Sequence, residues 1–69
     1  MPLYMAESGQ DLIIVRITGS DKLKAHLSNM GFVVGETVRI INKVSENVIV
    51  KVKGVSVAIS HELAKRIFV

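Results

Sequence analysis

The stretch DLIIVRI, Asp11 to Ile17, is almost wholly apolar, whereas from Thr37 onward apolar and polar residues alternate nearly without a break. The first stretch is rich in β-branched residues and predicts a strand with Ile13, Val15 and Ile17 on one face. Its other face carries Leu12 and Ile14 before Arg16, so both sides are covered over part of the length. Thr18-Gly19 ends it. The period then changes: Leu23, Leu27 and Met30 fall at i, i+4 and i+7, one stripe of a helix. Ser20 is placed to cap that helix, and Asp21 sits in the first turn, where the helix dipole favours a negative charge. Gly31 stands where the helix needs a left-handed stop, and Phe32 follows in position to pack back onto Leu27. Gly35, after Val34, suits the second central residue of a type II turn, which requires positive φ.

The alternating region carries register information, because the buried face must match across paired strands. Val38 and Ile40 oppose Thr37 and Arg39; Val48, Val50 and Val52 oppose Ile49 and Lys51; Val55, Val57 and Ile59 oppose Ser56 and Ala58. The first two of these strands bury even positions, which predicts an odd-numbered loop, Ser45-Glu46-Asn47, with Asn47 left-handed. The next strand buries odd positions, which predicts the even turn Lys53-Gly54 and sets Val52 opposite Val55. Ser60 is placed to cap a short helix in HELAKR with Leu63 and Ala64 inward, and Ile67-Phe68-Val69 returns as a last strand. The predicted architecture is one mainly β domain over residues 1–69, a small, strongly bent barrel of about five strands. One short helix is inserted after the first strand and another precedes the last. No linker, repeat or low-complexity segment interrupts it.

Composition narrows the chemistry. A chain of 69 residues buries only about 60% of its unfolded surface, so its stability margin is thin. It has no cysteine, which removes disulfides, Cys-rich zinc sites and thiol catalysis together and fits a reducing compartment. Apolar residues make up 49% of the chain, and that share in so short a sequence leaves room for homo-oligomerisation or a partner interface. The longest unbroken apolar run, Leu12 to Val15, is far short of the ~20 residues a bilayer span needs. The opening MPLYMAESG lacks a basic segment leading into an apolar core, so it does not read as a signal peptide. The expectation is a cytoplasmic protein whose membrane contact is only indirect. A net charge of +3 permits an acidic partner without demanding one.

His61-Glu62 opens a sequence like HExxH, but the second histidine is replaced by Lys65, a cation that would repel a metal. His26 is the only other histidine and lies beside the apolar stripe of its helix. A metal would have to draw on His26, His61 and Glu62, which do not make a recognisable ligand set, so neither a metal nor a cofactor is expected. The glycines are not followed by Lys-Ser or Lys-Thr and lead into a strand, so no phosphate-binding loop is present. Sixty-nine residues leave little room for a rigid triad and a substrate cleft, which argues against an enzyme.

Arg39, Lys43 and Lys51 are predicted to share one outer face, with Lys53 at the hairpin tip. Such a patch suits nucleic acid or acidic lipid, or is a solvated face that discourages edge-to-edge aggregation. The face has no aromatic residue on which bases could stack, which favours the solvated face over nucleic acid. The apolar loop Phe32-Val33-Val34 between two glycines is the better candidate for a protein contact.

Taken together, Val15-Arg16-Ile17-Thr18-Gly19, the run Leu27-Ser28-Asn29-Met30-Gly31-Phe32-Val33-Val34-Gly35, Gly54 and the closing Glu62 to Val69 resemble the FeoA family. The resemblance extends from about Leu3 to Val69; members usually carry proline where Val34 stands, and valine can adopt the same turn angles. It implies an SH3-like β-barrel in the bacterial or archaeal cytosol. It also implies a non-enzymatic accessory of FeoB, the membrane ferrous-iron transporter with a cytosolic G-protein domain, acting by binding. The expected contact is Lys24 and His26 on the inserted helix with Phe32, Val33 and Val34. The same fold occurs as an appended domain of iron-dependent repressors, so fold alone does not fix function. The alternative is a small basic nucleic-acid-binding or repressor-associated domain using Arg39, Lys43, Lys51 and Lys53. A third reading is direct ferrous-iron binding through His26 or His61.

Overall fold

In the computed structural model, which describes residues 1–69, a short 3-10 turn (Leu3–Met5) is followed by strands β1 (Asp11–Ile13) and β2 (Arg16–Ile17) and helix α1 (Asp21–Asn29). Strands β3 (Thr37–Val44), β4 (Asn47–Val52) and β5 (Val55–Ser60), helix α2 (His61–Ala64) and strand β6 (Ile67–Phe68) complete it. Antiparallel pairing gives a four-stranded sheet in the order β1-β3-β4-β5 and a two-stranded ribbon of β2 and β6. The sheet bends around a core that includes Leu27, Phe32, Ile40, Val50, Ile59 and Ile67, each nearly or wholly inaccessible.

The expected meander is present. Val38 pairs with Val52 and Ile40 with Val50, while Val52, Val50 and Val48 face Val55, Val57 and Ile59. The turn Lys53-Gly54 has both residues at positive φ, 51° and 79°, the handedness that matches strand twist in a two-residue hairpin. Val55 lies on the predicted side but at the open end of the barrel, where it is 58% exposed.

The β3–β4 connection differs from expectation in an instructive way. Val44 pairs with Asn47, so the loop is two residues, Ser45-Glu46, and Ser45 rather than Asn47 takes the left-handed conformation, at φ 54°. Parity is restored by a β-bulge: the register shifts between Ile40 and Asn42, leaving Ile41 as the extra residue. An odd residue was required; it sits in the strand rather than the turn.

The predicted strand over residues 11–17 is also divided. The Ile14 N–H donates to the Glu36 carbonyl and the Val15 N–H to the Phe68 carbonyl, so the chain leaves one sheet for the other between them. Leu12 and Ile14 therefore point inward and Ile14 is fully buried, whereas Ile13 and Val15, on a run expected to be covered on both sides over part of its length, are 50% and 60% exposed. Only Ile17, beyond the bend, is partly covered as expected.

Ser20 caps α1, accepting the Leu23 N–H at 3.1 Å, and Ser60 caps α2, accepting the Leu63 N–H at 3.2 Å. Leu27 and Ala64 are the fully buried residues of the two helices. At the start of the chain, Leu3 and Ala6 are wholly buried, and the Val69 N–H donates to the Met1 carbonyl at 2.8 Å.

Candidate partner-docking site

Helix α1 turns Leu27 into the core and leaves Lys24 and His26 exposed. Its end is a full Schellman motif: the Gly31 N–H donates to the Ser28 carbonyl and the Phe32 N–H to the Leu27 carbonyl, both at 2.9 Å, with Gly31 at φ 101°. Phe32 is thereby buried completely, so it cannot belong to an exposed contact loop. Its aromatic ring is part of the core. Val33 is half-buried and Val34 is 64% exposed, the most open of the large apolar residues.

The turn carrying Val34 is held firmly. The Glu36 N–H closes it onto the Val33 carbonyl at 3.1 Å, with Gly35 at φ 94° as the type II turn requires. Gly35 also donates to the Ile14 carbonyl at 2.8 Å, and Ile14 donates back to Glu36 at 3.0 Å. These bonds bring the turn alongside residues 13–15, where Ile13 and Val15 are exposed. An apolar surface of Val34, Ile13 and Val15 therefore adjoins the bend. The alternation did not single out the last two, because a run apolar on both faces was expected to be covered on both over part of its length.

Three of the four basic residues gather on one face, each near a carboxylate or opposite a paired cation. The Arg39 Nε donates to Asp11 Oδ1 at 2.8 Å. That hydrogen bond, with the guanidinium charge, holds the Asp11 carboxyl below the usual carboxylate range and raises Arg39 in return. Lys53 lies 3.9 Å from Glu36. Lys51 sits opposite Arg39 in the ladder and completes a shallow hollow of about 350 Å³ in which two carboxylates offset three cations. Lys43 does not share this face. Beyond the bulge at Ile41 it pairs with buried Val48, on the other side of the sheet, and its ammonium donates to the Tyr4 carbonyl at 2.8 Å. Lys43 alone leaves the expected face, because alternation was counted straight through the bulge, while Arg39, Lys51 and Lys53 share it.

His61 meets Tyr4 edge-on, with ring centroids 4.7 Å apart, while Glu62 pairs with Lys65 at 3.4 Å. His26 is exposed on α1, on a different helix from this pair. No group of three or more His, Asp or Glu side chains comes together in a way that could hold a metal ion.

The FeoA domain family model matches residues 1–69, the whole chain. The chain belongs to the FeoA family. A Methanocaldococcus jannaschii protein provisionally named Fe(2+) transport protein A is 31% identical over 68 residues, covering 99% of this chain and 83% of that one. The crystal structure of an iron uptake regulatory protein, FeoA, superposes with a TM-score of 0.90 at 31% identity, covering 97% of this chain and 91% of the other. The Stenotrophomonas maltophilia FeoA, solved in complex with zinc and described as a prokaryotic SH3 domain protein, gives a TM-score of 0.84 at 26% identity, with 99% and 87% covered. The FeoA domain described above is accordingly an SH3-like barrel with two short helices.

Proposed function

We propose that the chain is a non-enzymatic accessory protein of ferrous-iron uptake that works in the cytoplasm by docking on the G-protein domain of a FeoB-type transporter. The observation that carries this reading is the FeoA match over the full length, together with relatives named for Fe(2+) transport. The contact is assigned to Lys24 and His26 of α1 and to Val33 and Val34 of the adjoining turn, joined by Ile13 and Val15. An exposed apolar tip on a turn whose backbone is already fixed loses little entropy on binding, which favours a protein contact there. Lys24 adds positive charge suited to steering an acidic surface.

Titration of the transporter's soluble domain, loaded with GDP or with a GTP analogue, tests the reading. Saturable binding that Val34→Glu weakens by about tenfold or more, and Arg39→Ala leaves unchanged, is the expected result. Absence of binding at high micromolar concentration in both nucleotide states overturns it.

A further inference from the structure

Strand β5 forms one end of the four-stranded sheet and pairs only with β4. Counted from the two-residue turn closed between Val52 and Val55, the antiparallel alternation aims the backbone groups of Val55, Val57 and Ile59 at β4. Those of Ser56 and Ala58 point to the open side. No backbone hydrogen bond outside the helices and strands involves either residue. Open edges of this kind are normally blunted by lysine, proline, a bulge or short length. β5 has none of these: VSVAIS is six residues long, uncharged and in unbroken register. The opposite edge, β1, is only three residues long and carries Asp11.

We propose that β5 is a self-association edge, along which two copies of the chain pair β5 to β5, antiparallel, about a two-fold axis. An antiparallel strand paired with itself is closed under that symmetry, so assembly stops at two. The strand brings no like charges together although the chain carries a net +3. The flanking charges are complementary instead. Lys53 lies just before β5 and Glu62 just after it, and antiparallel pairing sets each cation near the other copy's carboxylate, twice. With the axis through Val57, Ser56 of each copy exchanges both backbone bonds with Ala58 of the other. The half-buried Val57 then meets its own copy, and the exposed Val55 gains apolar neighbours. A seam this narrow is smaller than a standard interface, so the dissociation constant is on the order of 100 µM.

Sedimentation equilibrium of the whole chain from about 10 µM to about 1 mM, with amide hydrogen exchange on the same samples, tests the proposal. The average mass is expected to rise from 7.6 kDa towards about twice that value, and the Ser56 and Ala58 amides to slow in step. Ala58→Pro removes an edge N–H without touching the β4 ladder and is expected to weaken the dimer by about tenfold or more. Ser56→Lys together with Ala58→Lys places like charges across the seam on exposed positions, and keeps the test valid if the proline variant does not fold. A monomeric mass throughout overturns the proposal. So does a dimer whose Ser56 and Ala58 amides exchange as fast as in the monomer, or one that the double lysine variant leaves intact. Edge protection that appears only when a different strand-bearing protein is added overturns it equally.

Discussion

Phe32 folds back over Leu27: its N–H donates to the Leu27 carbonyl at 2.9 Å, and both side chains are completely buried. This single relationship ends α1, fixes the ring in the core and sets the direction in which Val33 and Val34 leave. The position and the rigidity of the proposed docking turn both follow from it.

Gly31 makes the fold-back affordable because it takes φ 101°, a conformation that costs a residue with a side chain about 1–2 kcal/mol. Space is not the obstacle, since an added Cβ would meet Val52 at an ordinary 3.5 Å. Gly31→Ala is therefore expected to lose about 1–2 kcal/mol in urea unfolding. At about 4–8 °C per kcal/mol for a domain this small, the shift is also visible in thermal melts. Phe32→Ala is expected to lose about 3–5 kcal/mol, comparable to the whole stability of such a domain. A Gly31→Ala variant as stable as its parent would show that the left-handed stop is not what holds the turn.

The turn between β4 and β5 holds Lys53 at φ 51°, where asparagine is better tolerated and where Asn-Gly is the favoured pair. Lys53→Asn is expected to raise the denaturation midpoint, with a gain of about 0.5–1 kcal/mol and an unchanged denaturant slope. The contact that it removes, 3.9 Å to Glu36, is a surface pair of small worth. A lowered midpoint would show that this pair outweighs the backbone strain.

The Asp11–Arg39 pair predicts a pH dependence of definite sign. The hydrogen bond from Arg39 lowers the Asp11 pKa in the folded state, so the folded protein binds this proton less readily than the unfolded chain. The stabilisation is complete above the ordinary carboxylate value of about 3.9 and disappears as pH falls through the lower folded value. Asp11→Asn should flatten the stability profile below about pH 4 and leave its shape near neutrality unchanged. High salt should shrink the difference between the two proteins, because the pair is exposed. An identical acid limb in both proteins would contradict the assignment.

Local signals in the chain were readable because each is completed within a few residues. Ser20 and Ser60 announce their helices, Gly31 with Phe32 announces the helix stop, and Lys53-Gly54 follows from the parity of the valines around it. Parity also required an odd residue between β3 and β4 but could not say whether it lay in the turn or in the strand. That ambiguity misplaced Lys43. The division at Ile14 and Val15 depends on partners at Glu36 and Phe68, far along the chain, which alternation alone cannot supply. The same is true of the pairing of Arg39 with Asp11, 28 residues away. Of the proposed contact, Lys24, His26 and Val34 were legible as exposed helix and turn positions, and Val33 as a turn position that is half-buried. Phe32 was read both as packed on Leu27 and as part of the contact loop, and only the first reading holds, since it is wholly buried.

The most direct test of the docking account is amide chemical-shift mapping of the labelled chain against the transporter's soluble domain. The account predicts that the perturbed amides cluster at Lys24, His26, Val33 and Val34 and spread to Ile13 and Val15, with the outer face around Arg39 and Lys51 unmoved. Perturbations centred instead on Arg39, Lys51 and Lys53, or none at saturating concentration of the soluble domain, would contradict it.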